Sequence, residues 1–115
     1  MTVEQTALIE RIRGLLAGEP QVRALREVSM FGGRSFMVNE KMVVSALKHG
    51  GLLVRVAAEE HDELLSRPGA VQAEMGAGRD MGPGWIEVSP EALAGEGLAG
   101  WIRIALDYNA AVTGP

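Results

Sequence analysis

Residues 23–56 read RALREVSMFGGRSFMVNEKMVVSALKHGGLLVRV, and short apolar runs alternate there with Gly and Asn punctuation. The runs have the length and composition of β-strands, and they cover residues 23–30, 35–38, 41–48 and 52–56. Asn39-Glu40 has the length of a two-residue hairpin turn. Parallel pairing would need crossover connections of about a dozen residues, for which there is no room. The stretch therefore predicts an antiparallel meander of three or four strands.

Helical patterns flank this stretch on both sides. Residues 2–17 carry an apolar stripe at helical spacing, and Thr2 with Gln5 matches a capping box. A helix-start signal lies at Ser89-Pro90-Glu91, Gly95 and Gly97 interrupt that helix, and a second stripe, which includes Trp101, follows. The predicted members of the two stripes are Leu8, Ile12, Leu15 and Leu16, and then Leu98, Trp101, Ile102, Ala105 and Leu106.

Between these helices we expect a further helix over 57–66 and strands over 70–75 and 85–88. Helices outside a contiguous run of strands favour an α+β fold. We predict a two-layer sandwich of the α-β-β-β-α-β-β-α type, in which the N- and C-terminal helices pack on an antiparallel sheet.

Length and composition limit the class of protein. The 115 residues fit one domain, so we expect residues 1–115 to form a single domain. Cysteine is absent, which excludes disulfides and thiolate zinc sites and fits a reducing compartment. The N-terminus has no signal-peptide pattern, and the sequence has no apolar run long enough for a membrane span. The net charge of −4 provides no basic field. We therefore expect a cytoplasmic protein that binds neither membranes nor, by itself, nucleic acid.

The glycines suggest two candidate binding features. Gly32-Gly33 is interpreted first as a bend that lets Met30, Phe31 and Phe36 pack. The alternative is a nest of backbone amides that binds an anion beside Arg34.

The second feature is the nine-residue segment 76–84, which contains four glycines and Arg79. It is either an exposed connection or a mobile lid that closes over a ligand. Together with Arg55, these residues form a candidate ligand- or partner-binding set, provided that the arginines converge. The set is Gly32, Gly33, Arg34, Arg55 and Arg79.

No pattern of catalytic or metal-binding residues is present in the sequence. His49 and His61 are separated, and the acidic run around His61 is interpreted as a solvated helix face. No serine lies in a nucleophile elbow. We therefore expect no enzyme, no cofactor and no metal.

One family resemblance rests on residues 30–42. The run MFGGRSF at 30–36, followed by NEKM at 39–42, resembles the N-terminal domain of the TfoX/Sxy family. GRDM at 78–81, Gly84-Trp85 and the Leu98/Trp101 helix are similar to actinobacterial-type members. The resemblance implies an antiparallel sheet packed by helices. It supplies no catalytic residues.

The family is named for regulators of natural competence, which carry a second, helical C-terminal domain. This chain is expected to be a stand-alone N-terminal domain. The leading hypothesis is a non-enzymatic binding or regulatory module that works through a protein partner or self-association. The alternative is a binder of small molecules or anions that uses the arginines near the glycine-rich backbone. An uncatalogued enzyme is the third reading.

Overall fold

Six strands form one antiparallel sheet in the structure, a computed structural model that describes residues 2–30, 32–76 and 78–114. The sheet order is β1-β2-β3-β4-β6-β5, and each neighbouring pair is antiparallel. The strands are β1 (Leu25–Met30), β2 (Gly33–Val38), β3 (Lys41–Leu47), β4 (Leu52–Arg55), β5 (Ala70–Gln72) and β6 (Trp85–Val88). The predicted meander is confirmed for β1 to β4, and the α+β class is confirmed for the fold.

The β2–β3 hairpin turns at Asn39-Glu40, as the sequence predicts. Both residues have positive φ, 51° and 71°, which is the backbone of the tight turns that suit twisted hairpins. The Asn39 side chain also holds the preceding segment. Its Oδ1 accepts from the backbone N–H groups of Arg23 and Ala24, and its Nδ2 donates to the Gln21 carbonyl. This turn therefore fixes both the hairpin and the path of the chain into β1.

Gly32 and Gly33 are required for different reasons. Gly32 has a φ of +73°, a conformation that residues with a side chain rarely adopt. Gly33 has no positive φ, but a Cβ there would overlap the carbonyl oxygen of Ala46 on β3. The interpretation as a structural bend agrees with this geometry, and Phe36 lies fully in the core. Phe31 falls outside the described residues.

Three helices pack on the sheet: α1 (Val3–Ala17), α2 (His61–Leu65) and α3 (Gly97–Thr113). The capping box at the start of α1 is only half formed. Thr2 Oγ1 accepts from the Gln5 backbone N–H at 3.0 Å, but the Gln5 side chain donates to the Ala46 carbonyl at 2.9 Å. Gln5 therefore ties the helix to the sheet instead of closing the box.

Two predicted helical segments lie where the sequence places them but differ in type. The helix expected over 57–66 is a 3₁₀ turn, Ala58–Glu60, followed by the five-residue α2. Ser89-Pro90-Glu91 starts only a 3₁₀ turn, Pro90–Leu93, and the Ser89 side chain forms no cap. The positive φ of +58° at Gly95 ends this helical turn, and α3 begins two residues later. No helix in the described part of the chain is long and apolar enough to cross a bilayer.

The core lies between the helices and one face of the sheet. The predicted helix stripes are buried except for Leu15, which is partly buried, and Ile9 belongs to the buried face as well. The strands contribute every second residue: Phe36, Val38, Val44, Ala46, Leu52, Val54, Ile86 and Val88. The row on the opposite face follows the register Ser35–Ser45–Leu53–Glu87–Val71.

The contact between Gly33 and Ala46 predicts that Gly33→Ala destabilises the protein. The added methyl group meets the backbone of a paired strand, which cannot move without disturbing the register, so the expected cost is ~1–3 kcal/mol. Gly14→Ala is the matched control, because Gly14 is exposed in α1 and a Cβ there meets nothing within 4 Å. The control should stabilise by up to ~1 kcal/mol through helix propensity. Urea denaturation measures both changes, and a Gly33→Ala variant as stable as the wild type would contradict the close approach.

Candidate functional site

The glycine-rich segment 73–84, here called the arm, folds back on itself. The Met75 N–H donates to the Arg79 carbonyl at 2.7 Å, and the Met81 N–H donates to the Ala73 carbonyl at 2.9 Å. An isolated antiparallel bridge lies between these two hydrogen bonds. The open loop expected over 76–84 is therefore, in its described part, the turn of a short hairpin that extends the connection between β5 and β6.

His61 holds the base of the arm. The ring is 4% exposed, its Nδ1 accepts from the Gly84 N–H at 2.8 Å, and its Nε2 lies 2.8 Å from Gln72 Oε1. Because a backbone N–H can only donate, Nδ1 is unprotonated and Nε2 donates to Gln72. Gln72 Nε2 in turn donates to the Gly82 carbonyl at 3.1 Å. The solvated face predicted around His61 holds for its acidic neighbours, which are exposed, but is wrong for His61 itself.

A cavity of about 360 Å³, here called the arm cleft, lies where the arm meets the face of the sheet opposite α1 and α3. Its apolar side chains come from the sheet and from both limbs of the arm: Leu47, Leu53, Ala73, Met75 and Met81. Met75 is 61% exposed, and Val71, on the same face of the sheet, is 57% exposed. Large apolar side chains are thus presented to solvent on a face where the helical core does not lie.

The charged residues of the arm cleft are acidic. Glu74 and Glu87 line it, and no Lys or Arg is among its described lining residues. The Glu87 carboxylate lies 3.3 Å from the Nε2 of His49, which is more than half exposed. The cleft therefore combines an apolar floor with negative charge.

Gly32, Gly33 and Arg34 come together with Lys48 in a second, shallower cavity of about 420 Å³. Arg34 is already occupied there, because its Nη1 donates to Glu27 Oε1 at 3.0 Å. Glu27 also accepts two hydrogen bonds from Arg13 on α1, at 2.7 and 2.8 Å. These bonds from Arg13, opposed by burial and assisted by Arg34, hold the pKa of the Glu27 carboxyl below its ordinary value of 4.5. The Glu27 carboxylate offsets the positive charge of Arg34, so Arg34 attracts an anion less strongly.

The structure does not bring the three predicted arginines together. Arg55 lines a different cavity, between the ends of β4 and β6 and helix α3. Arg79 is exposed on the arm and is among the lining residues of neither cavity. The Arg79 side chain forms no hydrogen bond or ion pair within the described residues. Ligand binding by the five predicted residues remains a prediction. The three arginines, however, do not lie in one shared site.

The sequence indicates the glycine-rich segment 76–84 as a candidate lid and Gly32, which lines the arm cleft, as a candidate binding residue, but it does not predict the apolar floor. A further local signal is that Met75 and Met81 stand on either side of a glycine-rich turn, a spacing that lets two flexible apolar side chains face the same way. Leu47 and Leu53 reach the cleft only through strand register. No pattern near His61 in the sequence predicts that its ring is buried. Within 2–30, 32–76 and 78–114, no cluster of three or more His, Asp or Glu side chains has the arrangement of a metal site.

Comparison with known proteins identifies the chain at the family level. The family model of the TfoX N-terminal domain matches residues 19–108, from the segment before β1 into α3. No curated protein and no solved structure shows a significant match. The resemblance based on residues 30–42 is confirmed.

His61→Ala is expected to destabilise the protein, because it leaves the Gly84 N–H and the Gln72 amide without their buried partner. Losing a buried hydrogen-bonding group of this kind typically costs ~1–3 kcal/mol. His49→Ala is the control, since His49 is exposed and should change stability by less than ~0.5 kcal/mol. Thermal unfolding gives the stability, and amide hydrogen exchange at Gly84 gives the local effect. Unchanged exchange at Gly84 in His61→Ala would show that the ring does not hold the arm.

The contribution of Glu27 predicts a pH dependence of stability. Its pKa is lower in the folded state than in the unfolded state, so its stabilisation is fully present above pH 4.5 and is lost as pH falls through the folded pKa. The stability difference between wild type and Glu27→Gln should therefore be largest near neutral pH and shrink below pH 4.5. Glu40→Gln is the control, because its ion pair with Arg26 is exposed and should contribute under ~0.5 kcal/mol. Urea melts between pH 3 and 7 measure both, and a constant difference for Glu27→Gln would contradict the assignment.

Proposed function

The chain belongs to the TfoX N-terminal domain family, and from that premise we propose that it is a non-enzymatic binding or regulatory module that acts through a protein partner. Family membership itself suggests a regulatory or binding role. The partner, and the surface that receives it, are our proposal.

The observation that carries the proposal is the arm cleft. Its apolar floor includes Leu53, which is 3% exposed, and its lining includes Met75, which is 61% exposed. Val71 does not line the cleft, but it pairs with Glu87 on the same face of the sheet and is 57% exposed. Exposed apolar area on one face, with polar residues around it, is typical of protein interaction sites. Methionines suit such a surface, because their unbranched side chains adapt to different apolar groups. The arm is held at its base, where His61 binds Gly84 and Gln72 binds Gly82, so in this proposal the partner inserts beneath Met75 without disturbing the helical core.

Charge specifies the chemistry of the partner. The cleft is lined by Glu74 and Glu87, and the chain as a whole carries a net charge of −4. Complementarity therefore favours a partner segment in which an apolar side chain, inserted between Met75 and Met81, is flanked by Lys or Arg. An acidic segment would be repelled from the same surface.

The same charge balance supports the rest of the proposal. A net acidic chain attracts nucleic acid weakly, so we propose that any effect on transcription passes through the partner and not through direct DNA contact. The absence of cysteine from the sequence supports a reducing, cytoplasmic environment for the complex.

The test starts with photo-crosslinking in the native host. A photoreactive amino acid at position 75 should give an adduct with one other protein, whereas the same residue at position 3 should not. Val3 is the matched control, because it is 83% exposed and does not line the arm cleft. The crosslinked partner peptide should contain an apolar residue next to Lys or Arg. An adduct no stronger than at position 3, or an adduct only with a second copy of this chain, would overturn the proposal of a separate partner.

Binding of the identified peptide then measures the contribution of the cleft. Met75→Glu should weaken binding at least tenfold, because it places a carboxylate against the apolar group of the peptide, and Val3→Glu should leave binding unchanged. Isothermal titration calorimetry gives both affinities. Equal affinities for the two variants would remove the arm cleft as the docking surface.

A further inference from the structure

A separate cavity of about 360 Å³, here called the Arg55 cavity, lies where the sheet meets the end of α3. Four elements build it, since its residues come from β3, β4, β6 and α3. The lining residues are Lys41, Met42, Arg55, Trp85, Tyr108, Asn109 and Val112. Its volume falls at the small end of ligand-binding pockets. It shares no described lining residue with the arm cleft.

Arg55 is held in a defined position in this cavity. Its guanidinium carbon lies 4.8 Å from the centroid of the Trp85 ring and 5.2 Å from that of Tyr108. Nη1 donates to the carbonyls of Gly84 and Val56 at 3.2 and 3.3 Å, and Nη2 lies 3.4 Å from the Tyr108 hydroxyl. A guanidinium fixed by rings and carbonyls loses little further freedom when it binds a carboxylate.

The charge of Arg55 is not neutralised by an acid. Its partners within the described residues are carbonyls, a hydroxyl and two rings, and no carboxylate lines the cavity. Lys41 adds a second cation. The nearby acids do not line this cavity: Glu40 pairs with Arg26, and Glu60 and Asp107 line an adjoining depression that shares Tyr108 with it. Two cations and no lining acid favour an anionic ligand.

Asn109 supplies a further polar group. It is 2% exposed yet lines the cavity, and its Nδ2 donates to the Val38 carbonyl at 3.0 Å. Its Oδ1 has no hydrogen-bond partner within the described residues, so it is available to accept from a ligand hydroxyl or N–H. Met42, Val112 and the Trp85 ring give the cavity an apolar wall that suits a flat hydrocarbon body.

We propose that the Arg55 cavity binds a small aromatic carboxylate. The carboxylate contacts Arg55 and Lys41, the ring lies against the apolar wall, and a hydroxyl donates to Asn109 Oδ1. This site gives Arg55 the ligand-binding role expected of it from the sequence, without Arg34 or Arg79.

Salicylate is a suitable probe for the carboxylate and ring contacts, because it combines a carboxylate with a flat ring, while its ortho hydroxyl donates to its own carboxylate; salicylamide is its neutral counterpart. Two-dimensional ¹⁵N–¹H NMR separates the two tryptophans: the Trp85 indole and the Asn109 amide should shift, whereas the Trp101 indole in the core should not. We expect saturation with a dissociation constant below ~1 mM for salicylate and at least tenfold weaker binding of salicylamide.

Variants at the rim keep the test independent of folding. Lys41→Gln, which removes an exposed cation, should weaken salicylate binding at least fivefold, and Val112→Trp should block it by filling the cavity. Lys48→Gln is the matched control, because Lys48 lines the Gly32–Arg34 cavity instead. Equal affinity for salicylate and salicylamide, shifts centred on Lys48, or no effect of Lys41→Gln would each overturn the proposal. None of these results depends on the partner proposed for the arm cleft.

Discussion

The pairing of β2 with β3 is the constraint on which the rest of the structure depends. Asn39-Glu40 sets the register at one end, and the close approach of Gly33 to Ala46 sets it at the other. A slip of one residue would turn every side chain to the opposite face. The register accommodates one irregularity between Phe36 and Met37, and it still delivers Phe36 to the helices. Gly32, Gly33 and Asn39 thus fix the register in which every second side chain of β2 and β3 enters the core.

The helices pack on one face of the sheet, so the opposite face is covered by other groups. Ser35 and Ser45 satisfy each other there with a hydrogen bond of 2.9 Å, and the arm lies beside Leu53. The arm is attached at its base, where His61 and Arg55 bind the two sides of Gly84 through its N–H and its carbonyl. An attachment at the base leaves the Met75 end exposed, which is the condition for a cleft that a partner can enter.

The two proposed sites differ in charge because of position along the strands: strand alternation puts Arg55 and Glu87 on the same face of the sheet, but Arg55 lies two residues beyond Leu53, at the end of β4. Glu87 follows Leu53 on the arm side of the sheet, so the cleft is acidic. Lys41 and Arg55 lie near α3 at the ends of inner strands, where Trp85 and Tyr108 enclose the guanidinium. Gly84 connects them physically, since it is bound by Arg55 from one cavity and belongs to the arm that forms the other. Charge complementarity therefore favours an apolar, basic segment at the arm cleft and an aromatic carboxylate at the Arg55 cavity.

The sequence by itself determined what depends on near neighbours: the strands of residues 23–56, the turn at Asn39-Glu40, the apolar stripes of α1 and α3, and the family. Spacing and turn chemistry encode these features within a few residues. Only the tertiary structure decided that His61 is buried and that Arg34, Arg55 and Arg79 lie in different places. These outcomes join residues far apart in the chain: His61 meets Gly84 across 23 positions, and Arg55 meets Tyr108 across 53. Such contacts depend on the packing of whole elements, which no local pattern specifies.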